Sequence, residues 1–168
     1  MYIKRFLKVI YIVSVFIIIL WPYKDRIINR IIKCMEEPFL ILTIPSIKLS
    51  HNIYNMNSPL NNVDRNISIL ESTNLEKNLF YIASHSGGGN ASYFDDLAYL
   101  EKGDIIYITK KDKTLIFVTQ EIFYIQKRGT LKAFYSGYGN TLFLITCSLK
   151  YLDKQIIIKA KLVYDSKM

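Results

Sequence analysis

Cysteine, histidine and tryptophan are all scarce in this chain, whose 168 residues include two cysteines, two histidines and one tryptophan. Two cysteines allow at most one disulfide, which excludes a small scaffold held together by several of them. The sequence has no CxxC pattern, no HExxH pattern and no Cys/His spacing typical of zinc. We therefore predict no tightly bound metal and no cofactor.

Several ligand-binding and catalytic motifs are also missing. The triple glycine at 87–89 is not followed by Gly-Lys-Ser/Thr, so it does not form a phosphate-binding loop. Ser86 lacks the G-x-S-x-G context of a serine nucleophile. Lysines and arginines are scattered and match no nucleic-acid motif, so we expect no nucleic-acid partner. The net charge of +8 indicates either an ordinary solvated surface or attraction to anionic lipid or acidic wall polymer.

The longest apolar stretch lies near the N-terminus. Val9 to Trp21 is apolar apart from Tyr11 and Ser14, and basic residues precede it. Extended from Phe6 to Tyr23, the stretch just reaches the roughly 17–25 residues that a membrane span needs. A signal peptide is the alternative, but no small-x-small cleavage site follows. We predict that residues 1–23 are a cytoplasmic basic tip and a transmembrane helix, which places the rest of the chain outside.

Residues 24–38 are predicted to form a membrane-proximal helix and linker. Apolar residues recur there at helical spacing, and Pro38 ends the pattern. Cys34 lies beside this apolar stripe. It is either a small buried or membrane-proximal thiol, or a site of disulfide formation or lipidation.

From Phe39 onward the sequence changes to short apolar runs separated by turn-forming residues. These runs predict about seven or eight strands, among them Leu79–Ala83 and Leu142–Thr146, with little helix. Such a pattern suits a closed barrel or a sandwich. No interdomain linker is visible after residue 38, so residues 39–168 are predicted to form one all-β domain.

Two stretches of this domain are predicted not to be strands. Residues 57–78 are rich in polar residues and predict a loop, with one helical turn around Ile67–Leu70. Tyr93–Leu100 predicts a helix of one to two turns, with Phe94 and Leu97 on its apolar face.

One histidine and one cysteine lie at the ends of two predicted strands. His85 follows the apolar run that ends at Ala83, and Cys147 follows the run that ends at Thr146. A thiol is a weak nucleophile at neutral pH, and a neighbouring imidazole makes it effective. Taken singly, Cys147 is better explained as a core cysteine and His85 as a structural histidine. His51 lies in a strand-like run with no partner motif, and we interpret it as structural.

Four segments of the domain together resemble the sortases, the membrane-anchored cysteine transpeptidases of Gram-positive bacteria. In order, they are Leu42-Thr43-Ile44-Pro45, Ile82-Ala83-Ser84-His85-Ser86, Phe94-x-x-Leu97-x-x-Leu100-x-x-Gly103-Asp104-Ile105-Ile106 and Thr141-Leu142-x-Leu144-Ile145-Thr146-Cys147. The resemblance covers about residues 39–163. It implies a mainly β fold, a closed eight-stranded β-barrel with short helices behind the N-terminal transmembrane helix.

The resemblance also implies an activity and its partners. A sortase cleaves the C-terminal sorting signal of a secreted protein and holds the acyl group on its cysteine. It then passes this group to an amine of a cell-wall precursor or of another protein. Cys147 would be the nucleophile and His85 its acid/base partner. The enzyme would be a single-pass protein of the cell membrane, with a cytoplasmic N-terminus and an extracellular catalytic domain.

The last predicted strand departs from the sortase pattern. Sortases carry an arginine five positions before a small residue; here the small residue is Ala160 and the position holds Gln155. An amide can donate a hydrogen bond to a substrate carbonyl or an oxyanion but brings no charge. Lys154 would bring charge if a bulge shifted the strand by one residue, and the backbone near Thr146 would supply another donor. The alternative is a non-catalytic or weakly active sortase-like domain that binds sorting signals or wall polymer.

Overall fold

The computed structural model describes residues 11, 14–15, 18, 21–24, 28, 30–31, 35–127 and 139–167. The chain divides into two compact units, Met1–Glu37 and Pro38–Met168. In the first unit, Trp21–Tyr23 form a short 3-10 helix. No helix among the described residues is long and apolar enough to cross a membrane. Most of the transmembrane helix predicted over residues 6–23, and also Cys34, lie outside the described residues.

Eight strands build the second unit. They are β1 Leu40–Ile44, β2 Leu49–Ile53, β3 Ser68–Ile69, β4 Leu79–Ala83, β5 Ile105–Lys110, β6 Lys113–Gln126, β7 Thr141–Cys147 and β8 Lys154–Lys167. They form one sheet in the order β2-β1-β5-β6-β8-β7-β4-β3. Neighbouring strands are antiparallel except β4 and β7, which run parallel.

The sheet curls into a nearly closed barrel. Ile53 of β2 and Ile69 of β3 lie at the two ends of the sheet, yet they belong to the same buried cluster. No ladder joins β2 to β3 among the residues that the structure describes. The mainly β, nearly closed eight-stranded barrel with few short helices is therefore confirmed, with the difference that its two edge strands, β2 and β3, are not paired in the part of the chain that the structure describes.

Turn residues set the strand ends. Pro45 cannot donate to a ladder, so β1 stops there and the chain passes through the 3-10 helix Pro45–Ile47. Lys48 follows in the left-handed region, with φ of 53°, and reverses the chain into β2. The β5–β6 hairpin turns at residues 111–112, where Lys111 also has a positive φ of 43°.

Strand alternation divides the apolar side chains of β4, β7 and β8 between two clusters. Even-numbered residues such as Ile82 and Leu144 belong to the large interior cluster. Odd-numbered residues such as Tyr81 and Ile145 form a second group, here called the outer-face cluster. Its buried members are Leu79, Tyr81, Ala83, Phe143, Ile145 and Ile157. Because both faces of β4 are covered, every residue from Leu79 to Ala83 is buried, which explains its unbroken apolar sequence.

Two local predictions were wrong in detail. Residues around Ile67–Leu70 do not form a helical turn, since Ser68–Ile69 is the short strand β3 and pairs with β4. At this point the edge of β4 has backbone N–H and C=O groups available for pairing. Pairing with them forms more hydrogen bonds than one isolated helical turn would. The helix predicted over Tyr93–Leu100 is a five-residue 3-10 helix, Asp95–Tyr99. The buried Phe94 and Leu97 nevertheless face the core, as the pattern predicted.

Candidate active site

Cys147 is the last residue of β7 and is half-buried. The parallel register between β4 and β7 ends with Ala83 opposite Ile145. Parallel strands advance at the same rate along the sheet. Two residues beyond this last pair, His85 is therefore level with Cys147. The structure thus brings the predicted histidine and cysteine to the carboxyl ends of two neighbouring strands.

Three hydrogen bonds continue the connection between the two strands past the end of β4. They run from Ser84 N–H to the Ile145 carbonyl at 3.3 Å, from the Thr146 hydroxyl to the Ser84 carbonyl at 2.8 Å, and from the Ser86 hydroxyl to the Cys147 carbonyl at 2.5 Å. The residues on both sides of His85 are therefore tied to β7, which keeps the histidine level with the cysteine.

The His85 ring has a carboxylate partner. Its Nε2 lies 3.0 Å from Oδ1 of Asp64, in the loop between β2 and β3. Both side chains are accessible to solvent, with 47% of the His85 side chain and 75% of the Asp64 side chain exposed. The His85 carbonyl accepts a hydrogen bond of 3.2 Å from the N–H of Phe94, which anchors the histidine backbone beside a buried aromatic residue.

Gln155 of β8 lies directly opposite Cys147 on the other side of β7. The N–H of Ser148 donates to the Lys154 carbonyl at 2.9 Å. The next pair of facing residues, Ser148 and Lys154, is therefore a hydrogen-bonded pair. Alternation then makes Cys147 and Gln155 a non-hydrogen-bonded pair, in which the Cα atoms are about 4.5 Å apart and the side chains lie closest. Both residues project from the face that carries the outer-face cluster.

Lys154 is placed on the opposite face of β8 from Gln155 by strand alternation. Its Nζ lies 4.9 Å from the centre of the Tyr151 ring. The β7–β8 register is continuous from Thr141 to Cys147, so no bulge shifts β8 by one residue at this point.

Thr146 faces the barrel interior, and its residue is only 4% exposed. Its hydroxyl is occupied by the Ser84 carbonyl, so the side chain joins β7 to β4. The roles of Thr146, Gln155 and Lys154 in orienting substrate stay predictions.

The second histidine, His51, lies in β2. Its Nδ1 is 2.7 Å from the Asn52 carbonyl oxygen, and its ring centre is 4.1 Å from that of Tyr93. Within the described ranges there is also no group of three or more His, Cys, Asp or Glu side chains that could hold a metal ion.

A cleft of about 660 Å³ lies between the β2–β3 loop and the residues that follow β3, and neither His85 nor Cys147 is among its lining residues. Val63 and Leu70 line it, and both also pack against the outer-face cluster. The cleft therefore borders the face from which Cys147 and Gln155 project.

Sequence reasoning missed two residues of the site, Asp64 and Ser86. Asp64 is 21 residues from His85 in the chain and lies in a polar stretch with no recognisable motif. Ser86 was considered only as a nucleophile, whereas its hydroxyl holds the Cys147 carbonyl. The only sequence signal for this role of Ser86 is that a side chain able to form hydrogen bonds directly follows His85.

Comparisons with known proteins agree on one family. The sequence model of the Sortase domain matches residues 42–163. Similar solved structures include sortase A from Listeria monocytogenes, with a TM-score of 0.65, 17% identity and coverage of 79% of this chain and 92% of that chain. Sortase C-1 from Actinomyces oris has a TM-score of 0.65 and 24% identity, covering 76% of this chain and 74% of that chain.

Sortase A from Corynebacterium diphtheriae has a TM-score of 0.64 and 23% identity, covering 76% of this chain and 61% of that chain. No curated protein sequence matches the chain significantly. The match to the Sortase domain begins within β1, ends within β8 and takes in both Cys147 and His85. Since it accounts for most of the chain, the protein belongs to the sortase family.

Proposed function

We propose that this protein is a cysteine transpeptidase. It cleaves the C-terminal sorting signal of secreted proteins and transfers the acyl fragment to an amine of the cell wall or of another protein. The observation that carries the proposal is the β4–β7 register, which makes His85 level with Cys147 at the carboxyl ends of parallel strands. Membership in the sortase family supports it.

In the first half-reaction, the Cys147 thiolate attacks the scissile carbonyl carbon and forms a tetrahedral intermediate with a negative oxygen. The intermediate collapses as the C–N bond breaks, and His85 donates a proton to the departing amine. A thioester remains on Cys147. In the second half-reaction, His85 accepts a proton from the incoming amine as that amine attacks the thioester. The new amide leaves and the thiolate is restored.

Gln155 serves this mechanism as a hydrogen-bond donor. Its position opposite Cys147 supports this role, because a β8 side chain on that face is adjacent to the reacting carbonyl. A preorganised donor to a developing oxyanion is worth about 3–4 kcal/mol of barrier. The amide of Gln155 supplies the donor without the positive charge of an arginine.

We also propose that the protein is held in the cell membrane by a single span over residues 6–23. The basic flank before the apolar run supports a cytoplasmic N-terminus and an extracellular catalytic domain. Membrane fractionation should recover the full-length chain in the membrane, with protease reaching residues beyond 38 only from outside. A soluble mature form that begins near residue 22 would contradict the span.

Mass spectrometry of an acyl-enzyme tests the proposed chemistry. Full-length protein mixed with candidate sorting peptides is expected to gain the mass of the acyl fragment on Cys147. Cys147→Ala should abolish acyl transfer and leave the fold intact, because no other described residue provides a thiol. The matched control is Cys34→Ala, which should retain nearly full activity. Turnover retained in Cys147→Ala would remove the assignment.

A second candidate function is a weakly active or non-catalytic domain that binds sorting signals or wall polymer. Gln155 favours it, because the position opposite Cys147 carries no charge. The same measurement separates the two functions: binding of a sorting peptide without an acyl-enzyme on Cys147 supports the binding domain. Ready labelling of Cys147 by a methanethiosulfonate reagent supports the enzyme.

A further inference from the structure

The loop between β2 and β3 brings a carboxylate to the histidine of the site. We propose that Asp64 is a positioning residue, which holds the His85 ring through Nε2 and thereby directs Nδ1 to the thiol and the amine. This inference rests on the proposed function, since Asp64 acts only through His85. It is carried by the 3.0 Å contact between Asp64 Oδ1 and His85 Nε2.

The backbone of the loop fixes the place of Asp64. The Asp64 N–H donates to Oδ1 of Asn62 at 2.9 Å. The N–H groups of Arg65 and Asn66 donate to the Asn62 carbonyl at 3.0 and 2.8 Å. The Asn66 side chain, only 5% exposed, donates to the Leu60 carbonyl at 2.9 Å. The carboxylate is therefore presented from a fixed segment, although the Asp64 side chain itself is largely exposed.

The chemistry of the two groups determines which nitrogen moves protons. An ionised carboxylate only accepts hydrogen bonds, so Nε2 of His85 must carry a hydrogen in both the neutral and the protonated ring. In the neutral ring the lone pair is then on Nδ1. Nδ1 accepts the proton of the thiol or of the incoming amine, and returns it to the departing amine. The Asp64 carboxylate offsets the charge of the protonated ring.

The exposure of the pair limits the size of the effect. Water screens an ion pair whose partners are 47% and 75% exposed, so its Coulomb energy contributes little to folding. The main contribution of Asp64 is therefore to orient the His85 ring. We expect loss of this orientation to slow proton transfer about tenfold. Loss of the histidine itself has a larger expected effect, about 10²- to 10⁴-fold.

A double-mutant cycle tests whether Asp64 acts through His85. In full-length protein carrying Cys34→Ala, the rate of Cys147 alkylation by iodoacetamide is measured for Asp64→Asn, His85→Ala and the combined variant. We expect Asp64→Asn alone to slow alkylation about tenfold, and to have no further effect once His85 is alanine. The proposal is overturned if Asp64→Asn slows alkylation equally in both backgrounds, or if its rate stays within about twofold of the parent.

Single-turnover acylation by a sorting peptide provides the second measurement. Asp64→Asn should lower the maximal rate of acyl-enzyme formation about tenfold and leave the half-saturating peptide concentration unchanged. Asp64→Glu should restore much of the rate, because it returns the carboxylate. Asp112→Asn, which neutralises an exposed carboxylate in the β5–β6 turn, is the matched control and should equal the parent. An equal loss in both Asn variants contradicts the proposal.

The two measurements separate the inference from the proposed function. If the parent forms no acyl-enzyme with any peptide, the proposed transpeptidase fails. The alkylation cycle still decides whether Asp64 positions His85, because it needs no turnover. Thermal unfolding of each variant, expected to match the parent, excludes a general loss of structure.

Discussion

The two flanks of Cys147 are held in place by different kinds of structure. On the β8 side, Gln155 faces the cysteine because the backbone ladder between β7 and β8 continues to this pair. On the β4 side, the strand has already ended at Ala83, and the side-chain hydrogen bonds of Ser86 and Thr146 supplement the few backbone bonds that hold His85 in position. Backbone pairing keeps its geometry whatever the side chain, whereas the histidine flank depends in part on the particular side chains of Ser86 and Thr146. Substitutions on β8 should therefore change chemistry alone, and substitutions around His85 should change geometry as well.

The largest expected effect is loss of the histidine itself. His85→Ala should lower acyl transfer by about 10²- to 10⁴-fold, because it removes the group that protonates the departing amine. The measurement is the rate of acyl-enzyme formation on Cys147. His51→Ala is the control, since His51 lies in β2 against Tyr93. Equal rates for the two variants would show that His85 is not the partner of Cys147.

The next largest effect should come from the β8 flank. Gln155→Ala is expected to lower the acylation rate by about 10²- to 10³-fold, since one donor to the oxyanion is lost while the ladder is kept. Gln155→Arg should be tolerated or should raise the rate. Lys154→Ala is the neighbouring control on the opposite face of β8, and should change the rate by less than about threefold. If neither alanine variant matters, the site uses another donor or the protein does not catalyse transfer.

The smallest expected effect concerns stability at the connection between β4 and β7. Thr146→Val removes the hydroxyl that binds the Ser84 carbonyl, and should lower the free energy of unfolding by about 1–3 kcal/mol. Thr119→Val is the matched control: Thr119 is 1% exposed, and its hydroxyl has no hydrogen-bond partner among the described residues. That change should be neutral or stabilising. Urea denaturation measures the free energy of unfolding of both variants. Equal losses would contradict the expected difference between the Thr146 and Thr119 hydroxyls.

Most of the barrel strands could be predicted because their apolar runs are bounded by clear turn residues. Leu79–Ala83 was predicted with the bounds that the structure shows. β3 could not be predicted in this way, because a two-residue strand has no periodicity and exists only through its pairing with β4. The 3-10 form of Asp95–Tyr99 was also missed, since short helices of both types share the same apolar spacing.

The candidate site was predictable to a similar extent. His85 and Cys147 could be chosen because the chain has two residues of each type and each lies at a strand end. Gln155 was identified only through the resemblance to sortases, as the residue five positions before the small residue Ala160 on one strand. Asp64 could not be identified, because its contact with His85 depends on how the β2–β3 loop lies across the end of β4.

The sequence alone determined where the chain is extended, where it turns and which few side chains could perform thiol chemistry. These properties follow from local preferences and from the two-residue period of a strand. Tertiary structure alone decided that β4 and β7 are parallel neighbours, that their register makes His85 level with Cys147, and that Asp64 contacts the imidazole. Register and loop placement arise from packing between segments distant in the chain, and that packing minimises buried unsatisfied groups across the whole barrel rather than within any one segment.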